Sequence, residues 1–423
     1  MYDFMLTNEE RKLRDEVRRF VRDEVAPDFL RTLDRDEITY PRQYVENLAR
    51  HNLVGVRFPK QWGGRGMSWV AEVAALEEIG CLGMALGCAF SMPSIVGEAL
   101  DKFGADAQKE KYLRPMLQGK LVSAEALTEP RGGSDFFGAT TKAVLEGDRF
   151  IMNGQKRFVV GAEGADFFLV YCKTNFEPDA HKYNRISLII VDKGPGVSVE
   201  YQYGLLGCRG GGTGRLVFRN AVVPKENLVG GLHGGAICFN QMMIPERMTS
   251  AAGCLGAWGA LDVAVRYSNR RAAFGQLIRK FQAVSFMIAD SITQLDAARG
   301  LAYLAARAID ENYVNVRRLV SEAKKFATKA AWDVVNNAMQ VLGGIGYTDV
   351  YPIERALRDM RLSMIWTGTS EIMSLLIQHE YYDQVLNQPY DRRQLEKDAM
   401  KPEQSERCFT DDDMWEVHDK GKQ

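Results

Sequence analysis

The sequence predicts an α+β chain with more than one domain, in which two helical parts enclose a smaller β domain. Apolar residues recur at three- and four-residue steps over residues 7–120, as they do in amphipathic helices. Over residues 121–231 this period shortens to that of strands, and beyond Gly235 long helical patterns return. A chain of 423 residues is also longer than one hydrophobic core normally becomes.

In the first part, Leu13, Val17 and Phe20 share one face of a helix whose pattern ends at Pro27. Proline cannot continue a helix beyond its first turn, so we expect a break there. Further helices are predicted over residues 41–51, 69–79, 91–103 and 106–117. This part is therefore expected to be entirely helical.

In the middle part, two apolar runs at residues 149–152 and 157–160 flank Asn153-Gly154. Asn-Gly favours a tight hairpin turn because both residues tolerate positive φ. We therefore predict a β-hairpin at this position. Further strands are predicted over residues 167–172, 186–191, 197–203 and 215–218.

The last part is predicted to contain long helices, followed by a polar tail. The helices are expected over residues 237–270, 281–311, 314–342 and 369–384. After about residue 386 the sequence becomes polar, with Phe409 and Trp415 as possible anchors. We expect a solvated tail laid on a neighbouring subunit, with no role assigned to it.

Composition excludes several classes of function. A net charge of -1 argues against nucleic acid and anionic membranes as main partners. Seven cysteines without a Cys-x-x-Cys pair indicate reduced thiols in a reducing compartment. Five widely separated histidines make a metal site unexpected, and neither a signal peptide nor an apolar run of about 18 residues is visible.

The most informative stretch is residues 126–138, which read ALTEPRGGSDFFG. The step into Pro130 disfavours helix, and the glycine pair that follows lets backbone amides approach a ligand closely. The Ser134 hydroxyl adds a donor beside those amides, a combination that suits phosphate or carbonyl oxygens. The alternative is a solvent-exposed turn.

This whole pattern resembles the signature of the acyl-CoA dehydrogenase flavoprotein family. Three further segments, at residues 270–284, 339–344 and 369–371, resemble that family's cofactor contacts in the same order, and the resemblance spans about residues 5–385. It implies FAD as cofactor, an acyl-CoA substrate, electron-transferring flavoprotein as electron acceptor, and a homotetramer. It also implies four regions: a helical domain (1–120), a small β-barrel or sandwich (121–232), a four-helix bundle (233–385) and a C-terminal extension (386–423).

The resemblance also implies which residues contact FAD. In this family the matching arginine and the glutamine of the next helix reach the FAD of a neighbouring subunit. The alternative for this segment is that two arginines complement a helix dipole and that Phe274 belongs to the core. The implied cofactor contacts are Leu127, Thr128, Gly133, Ser134, Phe158, Val160, Arg271, Phe274, Gln282, Gln340, Gly343, Gly344, Thr369 and Glu371.

The family's usual catalytic glutamate is absent, because Thr367 stands at its place before Gly368. A smaller branch, which includes isovaleryl-CoA and long-chain enzymes, carries the glutamate on the long C-terminal helix directly before an arginine. Glu246 and Arg247 match that branch, so Glu246 is the expected base. The alternative is that Glu246 lies in the first helical turn after Pro245 and complements the helix dipole.

The resemblance assigns the substrate contacts as well. Arg247 is expected to bind the pantetheine or phosphates of CoA, with a surface cation as the alternative. Ser134 and Gly368 are expected to contact the substrate, and the backbone N–H of Thr367 is expected to bind the thioester oxygen.

Some features depart from the family pattern. Phe158 and Val160 replace a common tryptophan and threonine, so the flavin's potential or oxygen reactivity is expected to differ. Glu125 is either a second acid in the site or, as we expect, a side chain pointing to solvent.

Other functions stay open beside the dehydrogenase: a flavin oxidase, an enoyl-CoA reductase, or an inactive scaffold member. The acyl group is not determined by the sequence. The expected location is the cytoplasm of a bacterium or archaeon, or the mitochondrial matrix of a eukaryote.

Overall fold

The computed structural model describes residues 2–389 and 392–400. The chain up to Glu380 forms one compact unit, and a second unit begins at Tyr381. Most of the predicted C-terminal extension, including Phe409 and Trp415, lies outside the described residues. The predicted domain boundaries at residues 120, 232 and 385 stay predictions.

The N-terminal part is helical, as expected. α1 begins at a capping box in which Thr7 and Glu10 each accept the other's backbone N–H. Pro27 does more than end a helical pattern, since it opens α2, where its fixed φ suits the first turn. The helices are α1 (Asn8–Asp23), α2 (Pro27–Asp34), α3 (Arg42–Arg50), α4 (Trp69–Ile79), α5 (Met84–Phe103), α6 (Asp106–Gln108) and α7 (Arg114–Leu117), the last two joined by a π-helical turn, Lys109–Leu113.

The middle part forms an eight-stranded mixed sheet. Its strands are β1 (Ser123–Ala126), β2 (Lys142–Glu146), β3 (Arg149–Val159), β4 (Phe167–Lys173), β5 (Ile186–Asp192), β6 (Val197–Gln202), β7 (Gly214–Pro224) and β8 (Leu228–Val229). They follow the order β6-β7-β3-β2-β4-β5-β8, and β1 pairs in parallel with β4. Along β4, alternate side chains pack into the β core and against the helices, so both faces of this strand are covered.

The hairpin predicted at Asn153-Gly154 is wrong, because β3 runs through both residues as one strand. The pairing of β3 with β7 shifts register between Met152 and Gly154, which marks a β-bulge. Gly154 has φ +142°, and a Cβ there would lie 2.6 Å from Cα of Thr141. The chain reverses instead at Gly147 (φ +65°), between β2 and β3. Asn-Gly here serves a bulge and a close backbone approach rather than a turn.

The C-terminal part is again helical, with a two-stranded ribbon after its second helix. Its elements are α8 (Gly235–Cys254), α9 (Trp258–Ser268), β9 (Ala272–Ala273), β10 (Gln276–Leu277), α10 (Gln282–Asp310), α11 (Val316–Leu342), α12 (Ile353–Ser363) and α13 (Ser370–Asn387). The helix predicted over residues 237–270 is thus two helices, and α12 was not predicted. The α8–α9 stretch reaches a mean hydropathy of 1.2, enough for a membrane span by length and composition, but 67% of that window is buried, as in a core helix.

Candidate active site

A buried ion pair anchors the loop that follows β1. The fully buried Lys156 donates from Nζ to the Leu127 carbonyl and to Glu129 Oε1, both at 2.9 Å. The Glu129 carboxylate also accepts hydrogen bonds from Thr140 and Thr141. Burial would raise the pKa of Glu129, but the Lys156 charge and these donors outweigh it and lower the pKa to about 2. Glu129 is therefore an ionised structural brace.

This brace leaves a row of donors on the surface beside an aromatic ring. Gly133 and Ser134 are exposed, and in the described part of the chain neither backbone amide donates a hydrogen bond to protein. The Arg157 amide donates to the Thr128 carbonyl at 2.8 Å, which brings Phe158 next to the loop. Phe158 has a left-handed φ of 57° and a half-exposed ring. A planar ligand with oxygen acceptors fits such a surface.

Glu246 lies in the middle of α8, so the alternative that it serves the first turn of a helix is wrong. Its side chain is buried, and Oε1 has no hydrogen-bond partner among the described residues. Burial raises the pKa to about 7, although the Glu125 carboxyl and the charges of Arg247 and Lys324 act to lower it. A carboxyl group that ionises near neutrality is suited to general base catalysis.

Glu125 does not point to solvent, and that expectation is wrong. Its neighbours Ala124 and Ala126 pack into the β core, so the Glu125 side chain lies on the opposite face of β1. There it lies close enough to the Glu246 carboxyl for each group to shift the other's pKa, and in the described chain its Oε1 is buried without a hydrogen-bond partner. Burial, with the Glu246 charge adding to it, raises the pKa of Glu125 well above its usual value. Glu125 is thus a second acid in the site.

Sequence reasoning missed an aromatic wall beside these two carboxyls. The hydroxyl of the fully buried Tyr171 on β4 has no hydrogen-bond partner in the described structure. Burial raises its pKa, and the Glu125 and Glu246 carboxyls add to that effect. The Tyr171 ring meets Phe136 edge-on, and Phe136 stacks on Phe239 with centroids 3.8 Å apart. Strand alternation over residues 167–171 was the available signal, but it could not indicate which helix covers the strand.

A short loop before α13 is linked to Glu246 through Lys324, whose charge acts on that carboxyl. Thr367 (φ 50°) and Gly368 (φ 85°) both have left-handed backbone. The buried Lys324 on α11, also missed from the sequence, donates to the Gly368 carbonyl at 2.6 Å. Burial lowers the pKa of Lys324 to about 8. The Thr367 hydroxyl is buried without a partner in the described chain, so a polar group of the loop is left for a ligand.

Arg247 is buried, and the alternative of a surface cation is wrong. It donates from Nη1 to Ser321 Oγ at 3.1 Å, whereas Nε has no partner in the described structure. Burial lowers its pKa to about 10, partly offset by Glu246. The guanidinium therefore keeps its charge at neutral pH and retains one donor for a ligand.

Most of the remaining predicted cofactor contacts are exposed. Those that are exposed are Arg271, Phe274, Gln282, Gln340, Gly343, Gly344 and Glu371. Phe274 is 96% exposed, so the alternative that it is a core residue is wrong. Val160 is half-buried after the end of β3, and Thr369 Oγ1 accepts from the Ile372 amide at the start of α13. Within residues 2–389 and 392–400, no group of three potential metal ligands comes together.

Three family models match the chain in sequence order. They describe the N-terminal, middle and C-terminal domains of acyl-CoA dehydrogenases, and they match residues 7–120, 124–221 and 233–381. The chain belongs to the acyl-CoA dehydrogenase family. Its helical N-terminal part, central β domain and C-terminal helical domain form the acyl-CoA dehydrogenase fold.

Relatives of known name cover most of the chain. Subunit CarC of the caffeyl-CoA reductase-Etf complex of Acetobacterium woodii is 37% identical over 85% of this chain and 96% of its own. The mitochondrial isovaleryl-CoA dehydrogenase of Pongo abelii is 34% identical over 88% of each chain. The structure of butyryl-CoA dehydrogenase from Megasphaera elsdenii superposes with a TM-score of 0.84 at 30% identity, over 89% of this chain and 98% of its own.

FAD is the cofactor of this acyl-CoA dehydrogenase. The residues present fit that group: the amides of Gly133 and Ser134, which have no partner among the described residues, suit its oxygens, and the exposed Phe158 ring can lie against a flavin. Val160 offers no hydroxyl just after the end of β3. The fit thus rests on backbone donors and an aromatic surface more than on side-chain hydroxyls.

Proposed function

We propose that this FAD-dependent acyl-CoA dehydrogenase desaturates its substrate between Cα and Cβ, with Glu246 as the base that removes the α-proton. The observation that carries the proposal is the buried Glu246 carboxyl, whose pKa of about 7 lets it act on either side of neutrality. Thr367 stands at the position of the family's usual catalytic glutamate, but Glu246 supplies a carboxyl group in its place. We therefore favour an active enzyme over the alternative of an inactive scaffold member.

The proposed reaction moves one proton and one hydride. Glu246 forms an O–H bond to the α-hydrogen while the α-carbon keeps the electron pair, which becomes the new double bond. The chemistry that FAD would supply when bound is to take up the β-hydrogen together with its two electrons. The acyl-CoA thus loses two hydrogens, and Glu246 ends as a neutral carboxylic acid.

The Thr367–Gly368 loop would stabilise the negative charge that develops on the thioester oxygen. Its backbone is left-handed at both residues, and Lys324 stabilises it by donating a hydrogen bond from Nζ to the Gly368 carbonyl at 2.6 Å. We propose that the Thr367 N–H donates to that oxygen and that Gly368 contacts the thioester. Arg247 and Ser134 would contact other parts of the acyl-CoA, Arg247 through its Nε, which has no hydrogen-bond partner in the described structure.

We infer that several exposed cofactor contacts become buried in a homotetramer. Large apolar residues are exposed in the described part of the C-terminal domain, among them Phe274, Phe286, Leu304 and Leu375. Such apolar surface is typical of subunit interfaces. Arg271 and Gln282 lie beside Phe274 in sequence and would then reach the FAD of a neighbouring subunit. Sedimentation analysis of the holoenzyme should give four times the monomer mass.

The electron acceptor that we propose is electron-transferring flavoprotein. The Acetobacterium woodii relative is named as a subunit of a complex with such a protein, which supports the proposal. For location, we propose the bacterial or archaeal cytoplasm, or the mitochondrial matrix in a eukaryote. The cysteines within the described residues are all free thiols, in keeping with a reducing compartment.

A second candidate is the reverse reaction, enoyl-CoA reduction. The specific observation in its favour is that the 37% identical relative is named a caffeyl-CoA reductase subunit. The same carboxyl serves both directions, because protonated Glu246 can return a proton to Cα. The Glu246 geometry therefore does not decide the direction.

Anaerobic titration of the purified holoenzyme tests the proposal. Straight, branched, cyclic and aryl acyl-CoAs are added in turn while the flavin absorbance is followed. Bleaching by one class supports the dehydrogenase and identifies its substrate class. Reoxidation of dithionite-reduced enzyme by an enoyl-CoA, without bleaching by any acyl-CoA, would favour the reductase, and rapid reoxidation by air the oxidase.

A further inference from the structure

We propose that Glu125 is a positioning residue: its protonated carboxyl donates a hydrogen bond to the Glu246 carboxylate, so that the two groups hold one proton between them. This inference rests on the proposed role of Glu246 as base. It adds to the site a second carboxyl, contributed by a strand, whose task is to orient the base and stabilise its charged form.

Strand geometry places Glu125 in the site. β1 runs parallel to β4, with Glu125 paired to Leu169. Leu169 packs into the same core as the helices, whereas the neighbours of Glu125 on β1 pack into the β core. Glu125 therefore faces the helices, on the same side of the sheet as Tyr171. Phe239, which contacts Tyr171, lies two turns before Glu246 on one face of α8.

The contact between the two carboxyls requires a proton. Two carboxylates have only acceptors, so a hydrogen bond between Glu125 and Glu246 exists only when one of them is protonated. Each also has a buried Oε1 without another partner in the described chain. Like charges this close cannot both ionise near neutral pH, as in other carboxyl pairs.

The surrounding charges decide which carboxyl keeps the proton. Arg247 on α8 and Lys324 on α11 both favour the ionised form of Glu246. Glu125 has no cation among the groups that shift its pKa, which burial and the Glu246 charge raise. Tyr171, which faces the pair from β4, has a raised pKa and is neutral. Glu125 is therefore the acid and Glu246 the carboxylate.

The pair fits the chemistry of α-proton abstraction. A donor on one oxygen of Glu246 fixes the plane of the carboxylate and leaves the other oxygen to accept the α-proton. Glu125 keeps its own proton throughout, so that after transfer both groups are neutral acids. The charge of Glu246 is thus neutralised by the transfer, while the hydrogen-bond donor beside it stays the same.

Infrared difference spectroscopy of the resting holoenzyme tests the pair without turnover. Spectra of wild type minus Glu125→Gln should show a protonated carboxyl C=O band that persists at pH values above the ionisation of Glu246. Glu246→Gln should retain the Glu125 band. Absence of this band in wild type would overturn the proposed carboxyl pair. The spectra do not depend on whether any acyl-CoA bleaches the flavin, so failure of the pair can be told apart from failure of the proposed function.

Kinetics of anaerobic flavin reduction supply a second readout. Glu125→Gln keeps a donor of the same shape and should stay close to wild type in rate and pH profile. Glu125→Leu removes the donor and should slow reduction by roughly tenfold or more, since hydrogen bonds to charged groups are worth about that factor. Its pH profile should also move to higher pH. Equal pH profiles for the leucine variant and wild type would overturn the positioning role, because a merely structural residue would not move that profile.

Discussion

Glu125 and Glu129 are four residues apart on one short segment, yet their environments give their carboxyls opposite states. Glu129 meets the Lys156 ammonium and the donors of Thr140 and Thr141, and its pKa falls to about 2. Glu125 meets another carboxyl, and its pKa rises well above the usual value. Burial alone therefore says little about the role of a carboxyl.

The difference lies in what each site leaves unsatisfied. Both carboxylate oxygens of Glu129 accept hydrogen bonds, so this residue braces the loop that follows β1. The site of Glu125, Tyr171 and Glu246 leaves an oxygen of each side chain buried without a partner in the described chain. A buried charged group whose hydrogen bonds are all made stabilises the structure. A buried group that has an unpaired oxygen and a pKa near neutral pH is available for chemistry.

The largest expected effect is on the rate of flavin reduction, at Glu246, whose carboxyl belongs to the site with unpaired oxygens. Glu246→Gln keeps the shape but removes the base, so anaerobic flavin reduction by the best acyl-CoA should slow by about 10²- to 10⁴-fold. Stopped-flow absorbance measures this rate, with the exposed Glu226→Gln as control. A loss of less than about tenfold would show that another group is the base.

At the Glu129 site, where the buried charges are hydrogen-bonded, Lys156→Met should destabilise the protein strongly. It leaves the Glu129 carboxylate buried and uncompensated, which costs about 3–5 kcal/mol. Chemical denaturation measures the free energy of unfolding, and Lys142→Met, an exposed lysine on β2, is the matched control. Equal stability of the two variants would mean that the ion pair does not brace the loop.

A variant of Lys324 should change both the stability and the rate, the two properties that the Lys156 and Glu246 variants test. Its side chain supports the Thr367–Gly368 loop, and its charge also acts on the Glu246 carboxyl. Lys324→Met removes the hydrogen bond to the Gly368 carbonyl and should lower the free energy of unfolding by about 1.5–3 kcal/mol. Flavin reduction should slow as well, because the Thr367 amide loses its support. Lys325→Met, the exposed neighbour on α11, is the control. A Lys324 variant as stable and as fast as this control would refute the support role.

The smallest expected effect is at Tyr171. Its hydroxyl has no partner in the described structure, so Tyr171→Phe should be neutral or stabilising by up to about 1 kcal/mol. The matched control is Tyr303→Phe, which removes a buried hydroxyl that donates to Glu77 at 3.1 Å and should destabilise. Denaturant unfolding compares the two. A clear loss of stability in Tyr171→Phe would mean that its hydroxyl is already bonded in the folded protein.

Much of the fold could be predicted from the sequence because its signals are local. Helix α4 has the predicted bounds, since the Ser68 hydroxyl accepts a hydrogen bond from the Ala71 amide and caps its first turn. The Asn153-Gly154 hairpin was wrong because the same dipeptide also suits a bulge, and only the neighbouring Thr141 decides between them. Strand β1 is too short to give a clear period.

The candidate site was predictable only where a motif carried it. Glu246 and Arg247 came from the family resemblance, and the structure buries both. Tyr171 and Lys324 were missed because each acts through a tertiary contact, with a distant helix or loop, that no local pattern records. The error at Glu125 has the same cause, since an isolated glutamate in a sequence is ordinarily exposed.

The most direct test of the central claim is the pH dependence of anaerobic flavin reduction by the best acyl-CoA. Glu246 must be ionised to accept the α-proton, and its pKa is about 7. The rate should therefore rise about tenfold per pH unit below neutrality and level off above about pH 7. A rate that is independent of pH through this range, or that falls as the pH rises, would contradict the assignment of Glu246 as the base.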